Sequence, residues 1–191
     1  MKKPTEDKYE RLGAYHWRDY ALGHPKFFSN TMEAFYRGHV NYILRDFNSR
    51  KKGSVLDVGC GDGLIACVLR WSGWDMEGID LSKKGIGLAR LKCPTVDFGV
   101  EDIFKKTGRY DYVLASEIIE HLPNPEEFLQ KIKALFTKEA LITTPNKIYH
   151  EKLEPEHFIE YNEQEFLNLL KKHFSKVQVE TNGVHLYAWV S

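Results

Sequence analysis

Residues 55–63 read VLDVGCGDG, an apolar run holding one aspartate and then glycine at positions 59, 61 and 63. A run this short, apolar on both faces and followed at once by flexible residues, describes a doubly buried strand that must turn sharply at its end. Leu64, Ile65, Val68 and Leu69 then fall at helical spacing up to Trp71, so the turn feeds a helix directly. Glycine suits such a turn because it accepts left-handed backbone angles and lets a neighbour approach where a Cβ would stand. A strand–turn–helix of this form sits at the carboxyl edge of a parallel sheet, where open α/β folds bind ligands.

The alternation recurs downstream. WDMEGIDLS supplies a second strand ending near Asp80, a helical stretch follows from Ser82 to about Leu91, and TVDFGVEDIF supplies a third strand. Residues 110–119, YDYVLASEII, read as a central strand, and Pro125 opens a helix with Phe128, Leu129, Ile132, Leu135 and Phe136 on one face. EALITTPN returns as a fifth strand, and Asn162 with Glu165 forms a capping pattern for a helix running to about His173. KVQVET and HLYAWV, separated by Asn182 and Gly183, make a hairpin, so one strand runs against the others. The expected fold is α/β: a Rossmann-like, doubly wound, seven-stranded and mostly parallel sheet with an antiparallel C-terminal strand and helices on both faces.

No repeat or linker divides the chain, so residues 1–191 are read as a single domain with a core at 51–191 and an N-terminal helical or lid segment at 1–50. Within that segment Asn30 and Glu33 are placed to cap a helix presenting Tyr36, Val40, Ile43, Leu44 and Phe47. The first 28 or so residues show no clear period and are read as irregular or weakly helical.

Charge and cysteine usage narrow the partners. Lys plus Arg and Asp plus Glu both number 27, so no overall field favours a polyanion, and nucleic-acid binding is disfavoured. No run approaches the roughly 18 apolar residues of a membrane helix, so no membrane partner is expected. Cys60, Cys67 and Cys93 are odd in number with no C-x-x-C spacing, which argues against a disulfide framework and a zinc site and for a reducing, cytoplasmic setting.

The glycine spacing also selects a ligand class. A dinucleotide pyrophosphate prefers G-x-G-x-x-G, whereas here the third glycine comes one residue early and Asp62 stands inside the loop. An anion would meet that carboxylate, so a zwitterionic or cationic ligand is expected. In this motif the chain resembles the small, single-domain class I S-adenosylmethionine-dependent methyltransferases, including those of the ubiquinone pathway. Later segments extend the resemblance from about residue 54 to the end: GIDLS around Asp80, EDIF around Asp102, and YDYVLASEIIEHLPNPEEFL. The resemblance implies S-adenosylmethionine held by Asp57, Gly59, Cys60 and Gly61, by Asp80 and Leu81 at the ribose, by Asp102 and Ile103 at the adenine, and by Ser116 near the methionine end.

Methyl transfer from a sulfonium needs alignment of acceptor, methyl and sulfur, and a hydroxyl acceptor must also lose its proton. His121, in EIIEH, is the residue there able to accept a proton near neutral pH; the alternative is a loop contact before Pro123. The E-x-x-E-H motif with the later His157 is similar to metal-assisted small-RNA 2′-O-methyltransferases, which implies Glu117, Glu120, His121 and His157 as a divalent-metal set. The motif is also similar to the ubiquinone-pathway enzymes. The function expected is therefore O-methylation of a small polar molecule such as a sugar or nucleotide derivative. Its alternatives are metal-dependent RNA 2′-O-methylation and a cofactor-binding but inactive partner subunit. Tyr15, His16, Trp17, Arg18 and Tyr20 offer stacking faces and a cation for a substrate, with packing against the sheet edge as the other reading.

Overall fold

Each buried apolar run becomes a strand because it is short and must hide both faces. β1 (Ser54–Val58) buries Val55 and Leu56 fully, and β4 (Tyr110–Ser116) does the same with Val113, Leu114 and Ala115. The computed structural model describes residues 8–22, 32–149 and 156–191. Around β1 and β4 the other elements are α1 (Lys8–Leu12), α2 (Tyr15–Leu22), α3 (Met32–Asn48), α4 (Leu64–Trp71), β2 (Asp75–Asp80), α5 (Lys83–Lys92), β3 (Asp97–Val100), α6 (Pro125–Leu135), β5 (Phe136–Pro145), α7 (Glu163–Lys171), β6 (Val177–Thr181) and β7 (His185–Val190). The seven strands follow the order β3-β2-β1-β4-β5-β7-β6, the expected mostly parallel sheet. The chain forms two compact units, Met1–Lys52 with Cys60–Glu101, and Gly53–Gly59 with Asp102–Ser191.

In the first unit β2 and β3 pair in parallel with Asp80 opposite Val100. Ser82 caps α5, its hydroxyl accepting the Gly85 N–H at 2.8 Å, an interaction contributing about 1 kcal/mol. Val40 of α3 joins Leu64 and Val68 of α4 in a small core against which Trp17 and Tyr20 of α2 pack. The stretch expected to be irregular or weakly helical thus contains two short helices, held by side chains rather than by any period of their own. Asn30 lies outside the described residues, as do the side chains of Glu33 and Tyr36, and the expected cap falls with them.

In the second unit β1, β4 and β5 run parallel, with Val58 opposite Ala115 and Ser116 opposite Thr143. β7 runs against both β5 and β6 and is the reversed strand of this unit. Gly183 turns the hairpin at φ 96°, while the Asn182 Oδ1 accepts the Val184 and His185 N–H groups at 3.1 and 2.8 Å. Asn124 caps α6 ahead of Pro125, and Asn162 with Glu165 forms the full capping box of α7. β4 ends at Ser116 rather than running to Ile119, because Glu117 takes a left-handed φ of 57° and sends the chain into a short 3-10 turn, Ile119–His121.

The cysteine expectation is corrected. Cys67 on α4 and Cys93 at the end of α5 form a disulfide with a Cα–Cα separation of 5.8 Å, leaving Cys60 as a free thiol. A separation of 26 residues hides the pair in the sequence; the α4-β2-α5 connection brings it together. With that pair joined, cysteine spacing no longer argues for a reducing compartment. Among the described residues no helix is long and apolar enough to cross a membrane. Closing a loop of this length contributes about 3 kcal/mol by chain entropy. Thiol titration of denatured protein should therefore find one thiol before reduction and three after, and reduction should lower Tm by roughly 5–12 °C. Three thiols without reductant would refute the bond.

Candidate functional site

The glycine turn is held from below by one carboxylate. Gly61 sits at φ 57°, and its N–H donates to the Asp80 Oδ2 at 2.9 Å, while the Asp80 Oδ1 accepts the Ser82 N–H at 2.7 Å. Asp80 therefore ties the turn to the carboxyl end of β2 and does not cap α5, a task left to Ser82. The half-buried Cys60 donates its N–H to the Ile79 carbonyl at 3.0 Å, and Leu81 beyond Asp80 is 72 % exposed, a large apolar side chain open to a ligand. A Cβ at Gly61 would run into the Tyr9 hydroxyl, so the turn is closely covered by α1.

Asp62 does not face a ligand, which corrects the expectation drawn from the loop. It is 0 % exposed: its Oδ2 accepts the His16 N–H at 3.1 Å and its Oδ1 lies 2.9 Å from His16 Nδ1. The Trp17 Nε1–H adds a bond to the Asp62 carbonyl at 2.8 Å. A carboxylate buried in a turn is costly unless it is paired, and α2 supplies the pair. His16 and Trp17 thus serve packing, with Trp17 also edge-on to Trp71 at 5.9 Å. The Arg18 side chain lies outside the described residues.

In the second unit the strand order reverses between β1 and β4, the place where doubly wound sheets bind ligands. Asp57 is buried within β1, and at Gly59, φ 70°, a Cβ would collide with the Ile118 side chain. The Ser116 Oγ lies 3.2 Å from Thr143 Oγ1 at the end of β4. Asp102 caps a short 3-10 turn, its Oδ1 accepting the Phe104 N–H at 3.0 Å, with Ile103 half-buried beside it.

The expected four-residue metal set is divided. Thr143 donates to the Glu117 Oε1 at 2.8 Å and Thr144 to the Glu120 Oε2 at 3.1 Å. Adjacent strand residues point to opposite faces, so the two glutamates are held apart. Glu117 is drawn to His185, whose Nε2 is 3.7 Å from its Oε2. Glu120, His121 and His157 converge instead, each bringing one ligand atom within 4.8 Å of the others. One carboxylate and two imidazoles suit a divalent transition metal, so these three residues fit such an ion and Glu117 does not join them. His157 Nδ1 is 2.7 Å from the Glu160 Oε1, and both side chains are buried. Burial and then the Glu120 carboxylate push the Tyr161 phenol up to about 12, so it stays neutral and is no proton acceptor here. Glu160 and His185 were not singled out in the sequence. His185 sits in a fully buried strand and shows no motif; a charged residue three positions after His157 was the legible signal for Glu160.

A family model described as a methyltransferase domain matches residues 28–184. The chain is 30% identical over 137 residues to the ubiquinone biosynthesis O-methyltransferase of Bordetella avium (strain 197N), covering 68% of this chain and 54% of that protein. It is 26% identical over 148 residues to the protein of the same name from Actinobacillus pleuropneumoniae serotype 7 (strain AP76), covering 71% and 61%. It spans a little over half the length of these relatives. The magnesium protoporphyrin IX methyltransferase (ChlM) of Synechocystis PCC 6803, solved with bound SAH, superposes with a TM-score of 0.75 at 18% identity over 97% of each chain, a likeness of fold.

Removing the charge that anchors α2 tests its role. Asp62→Asn should lower Tm by roughly 2–10 °C, from a loss of about 1–3 kcal/mol, and speed proteolytic cleavage within α2. Unchanged Tm and cleavage would show that α2 is held by packing alone.

Proposed function

This chain belongs to the methyltransferase-domain family whose model it matches, and on that premise we propose that it transfers a methyl group from S-adenosylmethionine to an oxygen of a small molecule. The observation that carries the reading is the left-handed turn at Gly61 closed onto Asp80, which places a carboxylate at the end of β2 beside a glycine turn. Asp80 and Leu81 are assigned to the nucleoside, Asp102 and Ile103 to the base, and Asp57, Gly59, Cys60, Gly61 and Ser116 to the remainder of the cofactor. The curated relatives are named O-methyltransferases, which supports oxygen as the acceptor atom.

The sugar or nucleotide acceptor is given up, since the names of the relatives carry neither. Phe158 and Ile159, which follow His157 in the chain, are exposed and apolar, and they donate their N–H groups to the Glu120 carbonyl at 2.8 and 3.4 Å. An acceptor with an apolar body fits these better, and a formal charge of zero favours a small molecule over RNA. S-adenosylmethionine held there would supply the methyl group and keep the displaced electron pair on its sulfur, and His121 would accept the proton of the acceptor hydroxyl. The His121 Nδ1 lies 3.2 Å from the Glu156 carbonyl, an acceptor, so the neutral ring carries its proton there and keeps the Nε2 lone pair for that role.

Convergence of Glu120, His121 and His157 favours a second reading, in which the three bind a divalent cation. Such an ion would lower the pKa of a bound acceptor hydroxyl, and His121 would then be a ligand rather than the base.

Calorimetry should show S-adenosylmethionine binding, and Asp80→Asn, which keeps the side chain's size and an acceptor oxygen for the turn, should raise its Kd at least about tenfold with the fold retained by circular dichroism. No binding by the unaltered protein at millimolar cofactor would overturn the reading. Stripping with EDTA separates the two roles of His121: activity lost and restored by added metal supports the ion, and activity fully kept supports the base.

A further inference from the structure

Both histidines of the triad have Nδ1 held by a group that can only accept a hydrogen bond. For His121 that group is the Glu156 carbonyl at 3.2 Å, and for His157 it is the Glu160 carboxylate at 2.7 Å. A neutral imidazole so held carries its proton on Nδ1 and leaves Nε2 unprotonated. The His121 Nε2 lies 4.0 Å from the Glu120 Oε1, and the two rings meet edge to face with centroids 4.8 Å apart. Thr144 meanwhile holds the other oxygen of Glu120, so the carboxylate is also oriented.

Glu160 is only 5% exposed, and Glu120 1%. Two carboxylates buried this deeply are costly unless each has a defined partner. Glu160 uses His157 as that partner from a position three residues along the chain, where no helix enforces the spacing.

We propose that Glu160 is a positioning residue: it fixes the tautomer and ring orientation of His157 so that Nε2 turns toward Glu120 and His121. A consequence, resting on the metal reading above, is that divalent-cation affinity depends on Glu160. Carboxylates in this relation to a ligating histidine typically account for about 10–100-fold in affinity.

The test has two readouts. Long-range nitrogen–proton NMR of the metal-free protein, with His157 assigned by its loss in His157→Ala, should show Nδ1 protonated in the unaltered chain and a mixed or reversed tautomer in Glu160→Ala. Titration with Co2+ alone, followed by its visible absorption, should show binding by the unaltered protein. Affinity should fall about 10–100-fold in Glu160→Ala, with altered band positions. Should the alanine variant fail to fold, Glu160→Gln keeps the size and one acceptor oxygen and should show smaller changes in the same directions. A His157 protonated on Nε2 in the unaltered protein, or a tautomer indifferent to Glu160, overturns the positioning role. Equal Co2+ affinity in the unaltered protein and the variants overturns the dependence on Glu160. Absence of Co2+ binding together with the expected tautomer change overturns the metal reading and supports the positioning role.

Discussion

Asp80 accepts two backbone N–H groups, from Gly61 and from Ser82, and much of the first unit is arranged by that one carboxylate. The bond to Gly61 holds the glycine turn against the end of β2, and so sets where α4 begins. The bond to Ser82 sets the chain direction at the start of α5, where the Ser82 hydroxyl takes over as cap. Charge-assisted bonds of this kind are stronger than neutral ones, and using one acceptor for two segments makes their geometry interdependent. The turn is then a platform: Tyr9 rests on Gly61, and α2 is pinned to Asp62 through His16 and Trp17. The N-terminal helices thus owe their placement to a loop whose own shape depends on Asp80.

A comparable economy appears in the second unit at the end of β5. Thr143 and Thr144 are consecutive, so their hydroxyls leave the strand on opposite faces and each takes one glutamate. The left-handed backbone at Glu117 makes this division feasible, since a continued strand would have carried the E-x-x-E spacing straight out of the sheet. An unfavoured angle at a non-glycine residue persists where surrounding contacts over-determine it, and the Thr143 bond and His185 supply such contacts. What results is a compact carboxylate-imidazole cluster around Glu120, with Glu117 engaged elsewhere.

Local pattern made most of the fold legible. Buried strands, the helix opened by Pro125, the capping pattern of Asn162 with Glu165, and the Asn-Gly hairpin were read from spacing because each depends on neighbours within a few positions. The disulfide, the partners of Asp62 and the separation of Glu117 from Glu120 were not, since each joins residues far apart in the chain or on opposite strand faces. Asp62 is the instructive case: from the sequence a carboxylate inside a glycine loop looks aimed at a ligand, yet burial turned it inward to His16, 46 positions away.

By itself, then, the order of residues determined a doubly wound α/β chain with a glycine turn behind its first strand, because period, glycine spacing and caps act over a few residues. Only the tertiary structure decided which polar groups face outward. Asp62 and Glu160 were turned to histidine partners, and Glu120, His121 and His157 were drawn together, because pairing a buried charge is a matter of distance in space and leaves no period in the sequence.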